Sequence, residues 1–236
     1  MPIAASVPAR GIAIGGTVVN ALPKNHKESK ENRERRDRRQ DILDAALTCF
    51  NERGIEATSI DTIRVYADAS TGSIYHHFGD KLGIAAALYM SLLEEYQAHA
   101  HAVLLHARTA EEGVRAVVYA YVDWAAANKE KTRFLLYNRA VATHHMQVDV
   151  QTNLQADVQI DAQAATPRRF LNTALAWFEP HIASGDLKAL PRECYPSLMI
   201  GAAQDYARLW LSGRVKTSIR TQREVLADAA WNALRP

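Results

Sequence analysis

Between Gly54 and Asp80 the sequence admits only short helices, and this punctuation constrains the fold more than any other feature. Gly54 supplies the left-handed position that ends an amphipathic helix. Thr58, with Asp61 three residues later, has the form of a capping box that opens a second helix with Ile60, Ile63 and Ala67 on its inner face. Ser70 can cap a third helix that runs through Ile74 and Tyr75 to about Phe78, and Asp80 can cap a fourth. Two short helices separated by a turn of about three to four residues make a helix-turn-helix unit.

The flanking pattern is helical on both sides. From Arg35 onward Leu43, Ala46, Leu47 and Phe50 recur at i, i+3, i+4 and i+7, the stripe of a helix with one buried face. After Asp80, Leu88, Leu92 and Tyr96 mark one face of a long fourth helix, interrupted only by Gly83 near its start. Further stripes follow at Val114, Val117, Val118, Tyr121 and Val122, then at Phe134, Leu135 and Tyr137, then at Leu171, Leu175 and Phe178. Pro180, Gly185 and Pro191 punctuate the chain before two last helices, expected at about Tyr195–Leu211 and Ile219–Leu234. No repeat of 20 to 50 residues points to a solenoid. The expected fold is all-α. A tail over 1–33, a head over 34–81 and a helical body over 82–236 are the expected domains.

Charge is divided sharply along the chain. Residues 24 to 39 carry eight basic side chains (Lys24, Lys27, Lys30, Arg33, Arg35, Arg36, Arg38, Arg39) against four acids, a net of +4. Residues 40 to 81 carry Arg53, Arg64 and Lys81 against seven acids, a net of −4. The first 32 residues have neither helical nor alternating apolar period and read as a flexible tail. The apolar run Gly11 to Val19 is too short for a bilayer and lacks the features of a signal peptide, and Cys49 and Cys194 form no framework. A cytoplasmic protein with no membrane span, no cofactor and no metal is expected.

The stretch ILDAALTCFNERGIEATSIDTIRVYADASTGSIYHHFGDKLGIAAAL, Ile42 to Leu88, resembles the DNA-binding head of the TetR family of transcriptional regulators. Its elements occur in order: the amphipathic first helix, G-x-x-x-T-S at Gly54 to Ser59, Ile63, the turn through Ser70, the run G-S-I-Y-H-H-F at Gly72 to Phe78, and Lys81. The resemblance implies a three-helix head joined by a fourth helix to a divergent helical body. That body would dimerise through its last two long helices and bind a small molecule; GAAQDYARLWLSGR, Gly201 to Arg214, is similar to the penultimate helix of many such bodies. Asp68 departs from the usual glycine at the end of helix two, Thr71 from a common basic residue, and Arg64 and Tyr66 from the usual small and charged choices. Aspartate enters the left-handed region more readily than most residues, which keeps the turn open to it.

A helix-turn-helix reads DNA with the N-terminal residues of its second helix while neighbouring groups hold the phosphates. Thr71 and Ser73, following Ser70, are therefore candidates for base edges, and Gly72 lets the backbone approach. By resemblance Tyr75, His76 and Lys81 contact phosphate, with Thr58 combining capping and a phosphate contact. Ile74 and Phe78 are assigned to the core, and His77 can pack inside the head. The expected partners are a double-stranded palindromic operator, a second copy of the chain and an unidentified small-molecule effector that releases a repressor from DNA. Tyr96, Tyr119, Trp124, Phe134, Tyr137, Trp177 and Phe178 supply wall material for an effector pocket, although each also suits a core.

Two rival readings stand beside this one, and the sequence argues against the first. Nine histidines, among them His99, His101, His106 and the pairs His76–His77 and His144–His145, raise a metal enzyme. Yet His99 and His101 point to different faces of one helix, and no H-E-x-x-H, C-x-x-C, Walker A or G-x-S-x-G sequence is present. A protein-binding module whose negative head has lost DNA binding is the other rival. Specific, salt-sensitive DNA retention separates it from a regulator. The basic 24–39 arm either supplies part of the cationic field that the head lacks or is a plain solvated tail, and deletion of residues 1 to 33 separates the two by affinity and salt slope.

Overall fold

The computed structural model describes residues 25–140 and 166–236, and these residues are helical with no strand among them. In order they form α1 (Asn25–Arg53), α2 (Ile60–Tyr66), α3 (Thr71–Phe78), α4 (Lys81–Leu104), α5 (Ala110–Ala127), α6 (Lys129–Tyr137), α7 (Thr166–Ala183), α8 (Cys194–Leu211), a 3-10 turn (Ile219–Gln222) and α9 (Arg223–Leu234). The chain divides into two units at Asp37 and Arg38. Within the first unit the described residues are helical, and Glu34 to Asp37 are exposed. The helix starts at Asn25, earlier than the Arg35 expected from the apolar stripe, because a charged segment can be helical without any buried face; the expected tail over 1–33 overlaps it, and residues 1–24 lie outside the described residues. His144 and His145 also lie outside them, as does the side chain of Leu171.

Two cores organise the second unit. The head core gathers Ile42, Leu43, Ala46, Cys49 and Phe50 of α1, Ile63 of α2, Ile74 of α3 and Ile84, Leu88 and Leu92 of α4. The body core is centred on α5, where Val114, Val118, Tyr121, Val122 and Trp124 meet Leu175 and Phe178 of α7, Tyr195, Met199 and Ala203 of α8, and Leu226, Ala227 and Ala230 of α9. Most residues of the expected stripes thus lie on buried or half-buried faces of helices, whereas Tyr137 is exposed. Burial pushes the Cys49 thiol above its ordinary range, which makes it a core residue of low reactivity. Among the described residues no helix is long and apolar enough to cross a membrane, and no three His, Cys, Asp or Glu side chains group as metal ligands.

Gly113 decides how α7 meets α5. A Cβ built there would lie 2.2 Å from Cζ3 of Trp177, so the indole rests directly on the α5 backbone. Trp177 also meets Phe178 edge-on at 4.9 Å and His181 at 4.8 Å. Because packed interiors resist added volume, Gly113→Ala is expected to destabilise the fold by about 1–3 kcal/mol and to shift tryptophan emission as the indole is displaced. Chemical denaturation and fluorescence check this. Unchanged stability with unchanged emission would contradict the contact.

Candidate nucleic-acid interface

The two short helices are set by caps and a strained turn. Ser59 is the N-cap of α2, its Oγ accepting from Thr62 N at 3.1 Å, and Ser70 is the N-cap of α3, its Oγ accepting from Ser73 N at 3.1 Å. Between them Asp68 stands at φ +46°, the one described residue other than glycine in the left-handed region. Aspartate therefore does at this turn what the family pattern assigns to glycine.

The structure corrects the reading of Thr58. It is 1% exposed, and its hydroxyl donates inward to the Gly54 carbonyl at 2.7 Å, with the Cys49 carbonyl at 3.2 Å. Thr58 neither caps α2 nor faces solvent. It fastens the segment before α2 to the end of α1, and its neighbour Ser59 takes the cap. A threonine-serine doublet offers two possible caps, and only the burial of one of them chooses.

Helix α3 has one face in the core and one outside. Ile74 is fully buried, with Phe78 four residues on packed against the same core. One turn apart on the other side lie Thr71, Gly72, Tyr75 and His76, all exposed, with Tyr75 at 52%. Ser73 is half-buried at the edge of this face. Six expected DNA-contacting residues, Ser70, Thr71, Gly72, Ser73, Tyr75 and His76, are therefore gathered at one accessible helix. Lys81 is half-buried and its Nζ donates to the Glu56 carbonyl at 2.8 Å. That bond ties the start of α4 to the loop before α2 and leaves two ammonium donors for another acceptor.

The junction from α3 to α4 is equally tight. Asp80 caps α4 by accepting from Gly83 N at 2.6 Å. A Cβ on Gly83 would come within 2.0 Å of the Phe78 carbonyl oxygen, so glycine is the residue that lets the last turn of α3 sit against the first turn of α4. The sequence showed Gly83 only as an interruption. His77 is half-buried, its ring centre 5.4 Å from that of His76 and 5.9 Å from that of Phe78.

Of the seven expected pocket residues, Tyr119 lines one of two clefts among the described residues, and the other six line neither of these two. Tyr96 and Trp124 are core, Tyr96 meeting Tyr121 at 5.6 Å and Trp124 at 5.5 Å, and Phe178 is core as well. Burial raises the Tyr96 and Tyr121 phenols well above their ordinary range. Phe134 belongs to the head core, stacked on Phe50 at 6.0 Å, and Tyr137 is exposed with its hydroxyl 3.4 Å from the Arg208 carbonyl. Tyr119 lines a cleft of about 370 Å³ between α4, α5 and α9, where its hydroxyl donates to Glu224 at 2.6 Å and the Arg223 guanidinium lies 3.8 Å from its ring centre. A second cavity, about 430 Å³, opens between α7 and α8 beside Leu175, Ile182, Leu190 and Tyr195, and contains none of the seven.

Comparison with known proteins agrees with the head. Residues 42–88 match the family described as bacterial regulatory proteins, tetR family, the same span that carries the resemblance in the sequence. The chain is 29% identical over 163 residues to the HTH-type transcriptional repressor AcnR of Corynebacterium diphtheriae, covering 62% of this chain and 81% of that protein. It is 33% identical over 92 residues to the HTH-type transcriptional regulator BetI of Burkholderia thailandensis, covering 39% of this chain and 44% of the other. Among solved structures, a TetR-family transcription regulator from Shewanella sp. PV-4 aligns over 84% of this chain and 98% of its own with a TM-score of 0.64 at 21% identity. FadR from Bacillus subtilis, a transcriptional regulator solved with stearoyl-CoA, aligns over 81% and 96% with a TM-score of 0.63 at 16% identity. These structures establish the all-helical fold of head and body.

The different tasks of Thr58 and Ser59 are separable by substitution. Thr58→Val is expected to lower stability by about 1–3 kcal/mol through the lost buried bonds, and Ser59→Ala by about 1 kcal/mol through the lost cap. Denaturation midpoints measure both. A Thr58→Val protein of full stability that binds DNA less tightly would return Thr58 to the phosphate contacts.

Proposed function

We propose that this chain, whose head belongs to the TetR family of transcriptional regulators and which is a regulator rather than an enzyme, is a dimeric repressor that binds a palindromic operator and leaves it when a small molecule binds the body. The observation that carries the reading is the face of α3. Thr71, Gly72, Tyr75 and His76 stand clear of the protein on a helix whose opposite side is anchored by Ile74, as an element entering a major groove requires. Thr71 and Ser73 read base edges; Tyr75, His76 and Lys81 hold phosphates; Gly72 permits close approach. Ser70 fixes the helix start. A protein of this kind works beside the chromosome, in the bacterial cytoplasm.

Pairing of two chains is supported by α8 and α9. Leu198 and Ala202 share one exposed face of α8, Val225 and Ala229 share one of α9, and Val225 is 63% exposed. Apolar side chains four residues apart on two helices packed together form a surface that a second copy can cover. Two heads held by such a pairing would meet successive major grooves about 34 Å apart.

The response to an effector is supported by α6. Its Phe134 sits in the head core against Phe50, and the Glu130 carbonyl accepts from Asn51 Nδ2 at 2.9 Å. Its other side reaches the end of α8, where Arg133 Nη2 donates to the Leu211 carbonyl at 3.3 Å and Lys129 Nζ lies 5.0 Å from the Trp210 ring centre. A ligand that shifts the body would shift α6, and with it α1. Within the body Gln97 Oε1 and the Tyr121 hydroxyl are buried with no hydrogen-bond partner among the described residues, which suits them to a polar group of that ligand. The cationic 24–39 segment adds sequence-independent attraction to phosphates.

Selection of bound fragments from a genomic DNA pool, followed by mobility shift at several salt concentrations, tests the reading. An inverted repeat is expected to be enriched, and a Tyr75→Ala/His76→Ala protein to bind it at least about tenfold less well. Failure of the folded protein to enrich any fragment at low salt would overturn it in favour of a protein-binding module.

A further inference from the structure

The head-core rim holds one cation whose place is unexplained by folding alone. Arg39, half-buried on α1, sets its guanidinium carbon 5.4 Å from the ring centre of Phe78, the last residue of α3. A guanidinium at that distance is attracted by the negative face of an aromatic ring. Phe78 in turn meets His77 at 5.9 Å, and His77 meets His76 edge-on at 5.4 Å. A series of ring contacts thus runs from Arg39 through the last turn of α3 to His76 on the exposed face. The same turn is confined from the other side by α4, where Gly83 admits the Phe78 carbonyl.

The position is notable because the head is poor in cations. Arg53, Arg64 and Lys81 are the only lysines or arginines from 40 to 81; Arg64 lies 3.6 Å from Asp61, and Lys81 donates to a backbone carbonyl. An arginine beside this segment would be expected to reach for phosphate. Arg39 instead lies over the ring at the end of the recognition helix.

We propose that Arg39 is a positioning residue for DNA recognition: by holding Phe78 it fixes the rotation and the last turn of α3, and so the aim of His76 and Tyr75. The proposal rests on the reading of α3 as the recognition helix. It distinguishes two uses of an arginine near DNA. A phosphate contact contributes a counterion to the salt dependence of binding, whereas a positioning residue leaves that dependence alone and changes the preference for one sequence over others.

Hydrogen exchange on the free protein gives the first test and needs no DNA. In Arg39→Met, which keeps the aliphatic stem, amides of Tyr75 to Phe78 are expected to exchange about threefold faster while those of α2 are unchanged and the melting temperature is held. Arg39→Lys is expected to restore most of the protection. On the selected operator fragment, Arg39→Met is expected to lose about threefold of its preference over random DNA with an unchanged slope of affinity against salt. In a Phe78→Leu background the Arg39→Met change is expected to add nothing, because the two act as one pair. Unchanged exchange, additivity with Phe78→Leu, or a slope reduced by about 0.9 would overturn the proposal, the last by making Arg39 a phosphate contact. Absence of any enriched fragment would bear on the recognition reading alone, since the exchange experiment stands without it.

Discussion

The stacking of Phe134 on Phe50 is the contact on which the arrangement of head and body depends. An aromatic side chain from α6, a helix of the body by sequence order, is fully buried among residues of α1, α3 and α4. Burial of an aromatic ring in that setting contributes on the order of 1.5–3 kcal/mol and ties together the parts it joins. The Asn51 bond to the Glu130 carbonyl adds direction to a contact that would otherwise be only greasy. The core of the head is therefore completed by a residue far from it in sequence, and the body has a handle inside that core.

Around that joint the interactions differ in kind. The body core is apolar and centred on α5, and its outer edge carries charged bonds linking α5 to α9, Arg115 to Asp228 at 2.7 Å and Arg223 to Asp123 at 3.2 Å, with Arg115 also paired to Glu111 within α5 at 2.7 Å. Hydrogen bonds donated to both carboxylates hold the Arg115 guanidinium firmly in its charged form. Such partly exposed pairs add little stability, but they fix the rotation of α9 about α5. In the head the corresponding devices are caps and buried backbone bonds. A small domain with short helices gains its order from the ends of those helices as much as from their sides.

Much of this was legible in the sequence. The order of short helices, the Ser70 cap, the left-handed residue at Asp68 and the outward set Thr71, Gly72, Tyr75 and His76 all follow from local rules, since caps, turns and one buried isoleucine are fixed within a few residues. What could not be read depends on distant parts of the chain. Thr58 and Ser59 are equivalent as caps until Gly54 and Cys49 are brought above one of them. Phe134 carries the same apolar signal whether it lines a pocket or fills the head core, and only the fold of α6 onto α1 decides. The start of α1 was misplaced because a charged helix lacks the apolar period by which helices are recognised.

The close approach of Gly83 to the Phe78 carbonyl carries a further meaning. With no room for even a methyl group at that corner, α3 and α4 meet in a close-packed elbow. A movement of α4 would then tend to carry the exposed face of α3 with it. In the proposed regulator the elbow would hold the face of α3 in shape, while the far end of α4 would set where that face is presented. On that reading, a body that senses a different molecule could be joined to the same elbow without reshaping the face that α3 presents.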